Sequence, residues 1–147
     1  MPRVSGTIKF IFALLIIIAF WWNFTHYVDF GSGCYLKIST GLEFNNTTIK
    51  NGLKALKYAV PTTYRMVCRD VTVIRTGVSC GGFGGGCYHG GSRSEIYVSV
   101  AQGAVLESAA IIAHELCHLY QDRDGKPFDE NECYLVDDAV LREMAKF

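Results

Sequence analysis

The segment AAIIAHELCHLY at residues 109–120 contains two histidines and a glutamate within an apolar run. The composition predicts a helix over residues 104–122, which the sequence DGKP at residues 124–127 ends. Side chains four positions apart project from the same face of a helix, so His114 and His118 are expected to lie side by side. A helix this apolar is expected to be buried, and burying charged or polar side chains is costly unless they have partners. The pattern therefore indicates a site built on this helix.

The segment His114-Glu115-Leu116-Cys117-His118 has the form H-E-x-x-H. Two imidazoles held on one face of a helix can bind one zinc ion, which accepts neutral imidazole nitrogen in tetrahedral geometry. Glu115, beside the first histidine, can take a proton from the water that zinc activates and pass it to a leaving amine. The motif predicts Zn²⁺ as cofactor, His114 and His118 as metal ligands, and Glu115 as the catalytic base.

A catalytic zinc site needs a third protein ligand and keeps one position open for water. A helix predicted over residues 129–146 follows the motif and carries two glutamates near its start. Glu132 is favoured because it would face inward together with Leu135 or Val136 and Ala139. Glu130 is expected to sit closer to solvent and is the alternative on the same helix.

A different third ligand would follow if the chain turned sharply after the motif, as in metzincins, H-E-x-x-H-x-x-G-x-x-H/D. Asp124 lies at that spacing, but the turn uses a glycine where this chain has Gln121, which can remain helical. H-E-x-x-H followed by a glutamate on the next helix resembles instead the gluzincin branch of the zincin metallopeptidases. The resemblance covers about residues 95–141 and implies a strand, an active-site helix, a loop and a glutamate-bearing helix, with Glu132 as third ligand.

The resemblance also implies how substrate would bind. Residues 95–100 would form the edge strand that lines the cleft, where a peptide could pair its backbone. A hydrogen-bond donor for the oxyanion, a role usually taken by tyrosine or histidine, would come from one of four residues: Tyr88, His89, Tyr120 or Tyr134.

The rest of the chain predicts an α+β domain with a short, mostly antiparallel sheet. Strands are predicted at residues 34–39, 64–68, 71–76 and 95–100, and a further helix at residues 47–59. Glycine dominates residues 79–92, which would form either a mobile flap over the cleft or a long connector.

The N-terminal segment is expected to be a single transmembrane helix. Residues 10–22 carry no polar side chain, and no charge occurs between Lys9 and Asp29. The positive charges precede the segment, so the N-terminus would be cytoplasmic and the body extracytoplasmic, either periplasmic or extracellular. Residues 1–28 would be the anchor and residues 29–147 the catalytic domain. A cleaved signal peptide is the alternative, although the residues after the apolar run match a cleavage site poorly.

All six cysteines follow the apolar segment, which suggests disulfides formed in an oxidising compartment. Sequence does not choose among the pairings, but Cys80 with Cys87 and Cys117 with Cys133 are plausible. Lys plus Arg equals Asp plus Glu at 14 each, so the charge balance does not favour nucleic acid as a partner. The sequence thus predicts a membrane-tethered zinc metallopeptidase acting on peptides or proteins; the alternative is a zinc-stabilised or inactive zincin-like binding module.

Overall fold

The computed structural model describes residues 6–39, 46–77, 85–92 and 94–146. Within these ranges the chain forms five helices and five strands, which confirms the prediction of an α+β fold. The helices are α1 (Gly6–Thr25), α2 (Asn46–Ala59), α3 (Pro61–Asp70), α4 (Val105–Arg123) and α5 (Glu130–Met144). The strands are β1 (His26–Asp29), β2 (Cys34–Ser39), β3 (Val73–Thr76), β4 (Gly85–Cys87) and β5 (Glu95–Ser99).

The strands form one mixed sheet in the order β1-β2-β3-β5-β4. The prediction of a mostly antiparallel sheet is wrong, because β2, β3 and β5 run parallel and only β1 and β4 are antiparallel to their neighbours. Helices α2 and α3 form the crossover from β2 to β3, and such a crossover is what joins parallel strands.

The expectation that residues 95–100 form the edge strand is also wrong. Strand β5 lies between β3 and β4, and in the described part of the chain β4 is the outermost strand on that side. The sequence does not predict β4, because this strand is the tripeptide Gly85-Gly86-Cys87 and glycine is depleted in strands.

Residues 64–68 are helical rather than extended, so the strand predicted there is wrong. Pro61 occupies the first turn of α3, where its fixed φ favours a helix and its missing N–H costs nothing. Tyr64 and Val67, three positions apart, are the residues that α3 buries in the core. The aromatic and β-branched residues that suggested a strand instead include Tyr64 and Val67, which form the buried face of this helix.

Helix α4 lies at the centre of the fold, in contact with β4 and β5 and with α2, α3 and α5. Gly52 allows α2 to approach it closely, since a Cβ at this position would lie 2.7 Å from the Ser108 Oγ. The predicted disulfide between Cys117 and Cys133 is present and ties α4 to α5. A second disulfide joins Cys34 of β2 to Cys68 of α3. Cys87 is also disulfide-bonded; its expected partner, Cys80, lies outside the described residues.

Helix α1 is almost entirely exposed and is, by length and composition, able to cross a membrane. It runs directly into β1, and Asn46 Nδ2 donates a hydrogen bond to the Phe24 carbonyl at 3.1 Å. Tyr27 of β1 is buried, and its hydroxyl lies 3.1 Å from that of Tyr64. The expected boundary after residue 28 therefore falls within a strand of the folded body.

Candidate metal centre

Three potential metal-ligating atoms converge where α4 meets the start of α5. The Nε2 atoms of His114 and His118 are 3.0 Å apart. The Oε2 atom of Glu130 lies 3.2 Å from the first and 3.4 Å from the second. The two histidine side chains are 11% and 7% exposed, whereas Glu130 is 61% exposed and closes the group from the solvent side.

This spacing is that of ligands around one ion. Nitrogen and oxygen donors bound to tetrahedral zinc at roughly 2.0 to 2.1 Å lie roughly 3.3 Å from one another. The three observed distances are all close to that value. His114, His118 and Glu130 could therefore hold a metal ion without rearrangement of the backbone.

The outer nitrogens of both histidines have hydrogen-bond partners that orient the rings. Nδ1 of His114 lies 3.2 Å from the Asp137 carboxylate, and Nδ1 of His118 lies 3.0 Å from Gln121 Oε1. Gln121 Oε1 also accepts a hydrogen bond from the Asp129 backbone N–H at 3.1 Å, which identifies that atom as the amide oxygen. His118 must then donate through Nδ1, and so must His114 toward the Asp137 carboxylate.

The chemistry of the donor set fits a cation. With a proton on each Nδ1, neutral imidazoles present the lone pairs of both Nε2 atoms to each other and to the Glu130 carboxylate. Three acceptors this close repel one another unless a proton or a metal ion lies between them. The arrangement of two such histidines and a carboxylate, each histidine bonded outward to an acceptor, is typical of zinc sites.

The third acidic residue differs from the one that the sequence favoured. The structure brings Glu130 to the histidines, while the Glu132 carboxylate accepts a hydrogen bond from Gln121 Nε2 at 2.8 Å. Asp129 caps α5 by accepting from the backbone N–H groups of Asn131 and Glu132. Side chains two positions apart on a helix are related by a rotation of about 200° about its axis, so Glu132 cannot point in the same direction as Glu130.

Asp124, the candidate for a sharp turn, is not brought to the histidines. Helix α4 continues through Gln121 to Arg123, and Asp124 is its C-cap. The Asp124 side chain is exposed and pairs with Lys126 at 3.2 Å.

Glu115 lies beside this group and is only 2% exposed. Burial, together with the negative charge of Glu130, raises the pKa of the Glu115 carboxyl to about 8. Its Oε2 atom has no hydrogen-bond partner among the described residues. Gly86 of β4 packs directly over this carboxylate, and a Cβ at that position would overlap Glu115 and come within 2.6 Å of Ile111. The site thus holds a buried carboxyl group whose Oε2 atom could accept a proton in the ionised form.

A cleft of about 400 Å³ opens over the three converging atoms. Strand β4, Ile111 and Phe128 line it, as do two of the four candidate oxyanion donors, Tyr88 and Tyr134. The Tyr88 hydroxyl donates to Asp122 at 2.8 Å. The Tyr134 ring centre is 4.9 Å from that of His114, and the part of the chain that the structure describes shows no hydrogen bond to its hydroxyl.

The other two candidates do not line the cleft. The Tyr120 hydroxyl donates to Asp70, and the His89 ring packs against Tyr97 with 4.6 Å between ring centres. Sequence reasoning missed the roles of Gly86 and Asp137. A signal existed for Asp137, which follows Glu130 by seven residues, two helical turns along the same face.

Comparison with protein-family models, with curated proteins and with solved structures finds no match to this chain.

Proposed function

We propose that this chain is a zinc-dependent peptide hydrolase with His114, His118 and Glu130 as metal ligands and Glu115 as general base. The observation that carries the proposal is the triangle of Nε2, Nε2 and Oε2 atoms with sides of 3.0, 3.2 and 3.4 Å. Three protein ligands beside an open cleft favour a catalytic over a structural zinc site. The disulfide between Cys117 and Cys133 supports the same choice, since it leaves neither sulfur as a thiolate ligand.

A bound zinc ion would polarise a substrate carbonyl and make water more acidic. A bound cation beside the buried carboxyl would favour its ionised form. Glu115 would then accept the proton of the attacking water through its Oε2 atom, which has no hydrogen-bond partner among the described residues. Burial disfavours the charged carboxylate, so Glu115 would hold the acquired proton until it is delivered to the leaving amine. The Tyr134 hydroxyl would donate a hydrogen bond to the oxyanion as it forms.

The substrate we propose is an extended peptide. In the described part of the chain, β5 is the strand that pairs with β4, and Gly85 and Gly86 bring no side chain into the space beside Glu115 that a paired peptide would fill. Backbone pairing with a sheet edge is a common way to bind peptides. Phe128 and Tyr134, each about half exposed, would contact the substrate side chains.

We further propose that α1 anchors the protein and that the catalytic body lies outside the cytoplasm. The exposed apolar surface of α1 and the disulfides Cys34–Cys68 and Cys117–Cys133 support this arrangement. Labelling of an engineered cysteine at exposed Lys146 by a membrane-impermeant thiol reagent in intact cells tests it. Labelling only after lysis would refute the proposed orientation, and loss of residues before Asp29 from the mature chain would indicate a cleaved signal.

The activity is tested with the full chain in mild detergent, by zinc analysis and by cleavage of a mixed peptide library. Wild type is expected to hold about one zinc and to cleave. Glu115→Gln should keep zinc and lose activity by roughly 10²- to 10⁴-fold. Glu130→Gln should lose zinc, while Glu132→Gln, its matched control on the same helix, should retain zinc.

Two results would contradict the proposal in different ways. Zinc without cleavage, unchanged by Glu115→Gln, would mean a zinc-stabilised or inactive binding module. Loss of zinc in Glu132→Gln but not in Glu130→Gln would assign the third ligand to Glu132.

A further inference from the structure

We infer that Gln121 and Glu132 act as a positioning pair, which fixes the tautomer of His118 and holds the start of α5 in register with α4. The inference rests on the proposed metal site and adds two residues that do not touch the ion. Both lie on the Nδ1 side of the His118 ring, away from the three converging atoms.

The Gln121 amide uses both of its ends. Its Oε1 atom accepts from His118 Nδ1 at 3.0 Å and from the Asp129 N–H at 3.1 Å. Its Nε2 atom donates to the Asp129 carbonyl at 3.2 Å and to Glu132 Oε2 at 2.8 Å. Gln121 is 3% exposed, so these bonds are hardly weakened by competing water.

Each bond has a consequence for the metal-ligating atoms. The acceptor at His118 Nδ1 keeps the proton there, which leaves Nε2 as the coordinating atom. The paired bonds to Asp129 fix the backbone of the residue that immediately precedes Glu130. One buried amide therefore positions a ligand on α4 and the first residue of α5.

Glu132 gives the amide its direction. A carboxylate can only accept, so it selects the orientation in which the Gln121 NH₂ group points toward it and the oxygen toward His118. The disulfide between Cys117 and Cys133 also joins the two helices, but it cannot choose between histidine tautomers. The acidic side chain that the sequence predicts to bind zinc acts here through Gln121.

The first readout needs no metal. ¹⁵N NMR of the histidine rings in the metal-free full chain, in detergent, reports the position of the proton on His118. Wild type is expected to show the proton on Nδ1. Gln121→Met, which keeps the length of the side chain but removes both polar groups, should give a mixture of tautomers.

The second readout is zinc affinity, measured by competition with a chelator. Gln121→Met should weaken binding by about 10- to 100-fold and alter the absorption spectrum of bound Co²⁺. Glu132→Ala should weaken binding by about tenfold. Glu132→Gln should weaken binding less, because an amide oxygen can still accept from Gln121 although its NH₂ group no longer excludes the reversed orientation of the Gln121 amide. Asp138→Ala, which removes an exposed carboxylate from the same helix, is the control and should bind as wild type does.

The outcomes separate this inference from the proposed function. A wild-type protein that binds no zinc refutes the proposed function, and a mixed His118 tautomer in wild type refutes the positioning role. The positioning role also fails if zinc affinity in Gln121→Met and Glu132→Ala matches that of Asp138→Ala. Loss of zinc in Glu132→Gln as severe as in Glu130→Gln would make Glu132 a ligand and overturn the inference.

Discussion

Glu115 is expected to destabilise the metal-free protein at neutral and alkaline pH. The substitution Glu115→Gln is expected to remove this loss of stability. The pKa of the buried carboxyl is raised from 4.5 to about 8. The folded protein therefore favours the protonated carboxyl. The stability that comes from this protonated group is fully present below pH 4.5, and it is lost as the pH rises through about 8. The change in pKa lowers the free energy of unfolding by roughly 5 kcal/mol once Glu115 is ionised and by roughly 3 kcal/mol at pH 7.

The assay is urea unfolding of the full chain in detergent, with a chelator present, at pH 5 and at pH 8. At pH 5 wild type and Glu115→Gln should differ by no more than about 1 kcal/mol, because both side chains are neutral. At pH 8 the variant should be more stable by about 3 kcal/mol, which allows for some relaxation around the charged carboxylate.

Glu107→Gln supplies the control for this experiment. It makes the same chemical change in the first turn of α4, where the side chain is exposed, and should leave the pH dependence as in wild type. If wild type and Glu115→Gln lose the same stability between pH 5 and pH 8, the Glu115 carboxyl is not the group that titrates.

Three further changes test the surroundings of the site. Gly86→Ala should cost about 1 to 3 kcal/mol in urea unfolding and reduce peptide hydrolysis, because the new methyl group overlaps Glu115. Gly90→Ala is the control in the same segment, where a Cβ has no neighbour nearer than 3.6 Å; equal costs for both would contradict the packing argument. Burial opposes ionisation of Asp70, but two arginines and a tyrosine bonded to it lower its pKa to about 2. This stabilisation is present above pH 4 and lost as the pH falls toward 2, so Asp70→Asn should lower stability at pH 7 by about 1 to 2 kcal/mol and flatten the acid limb of the unfolding curve. Tyr134→Phe should lower kcat by about 10²-fold or more with zinc content unchanged, and an unchanged kcat would exclude its hydroxyl as oxyanion donor.

The two histidines and Glu115 could be predicted because a helix repeats over a few residues. Four positions make just over one turn, so His114 and His118 share a face in any α-helix that contains both. The apolar residues around them predicted burial, and the structure buries His114, Glu115 and His118 together. Local sequence determines this part of the site.

The cleft could not be predicted in the same way. Its strand β4 owes its place to pairing with β5, and Gly86 is required there by a carboxylate that lies 29 residues further along the chain. The strand prediction for residues 64–68 failed for a different, local reason, since Pro61, three residues before this segment, starts a helix and outweighs the strand propensity of the segment. Only the first error concerns interactions that short-range patterns do not contain.

The third acidic residue could have been chosen correctly from the sequence, because one possible disulfide indicates which face of α5 turns toward α4. If Cys133 pairs with Cys117, it must face α4, and Glu130, three residues earlier, must face the same way. The structure agrees: the inward face of α5 contains Cys133, Asp137, Val140 and Met144, while Leu135 and Ala139 are exposed. The apolar pattern around Glu132 suggested a different face because α5 buries few of its apolar residues. A covalent bridge fixes the rotation of a helix about its axis, whereas an apolar stripe only biases it, so the disulfide is the stronger guide to which acidic residue faces the two histidines.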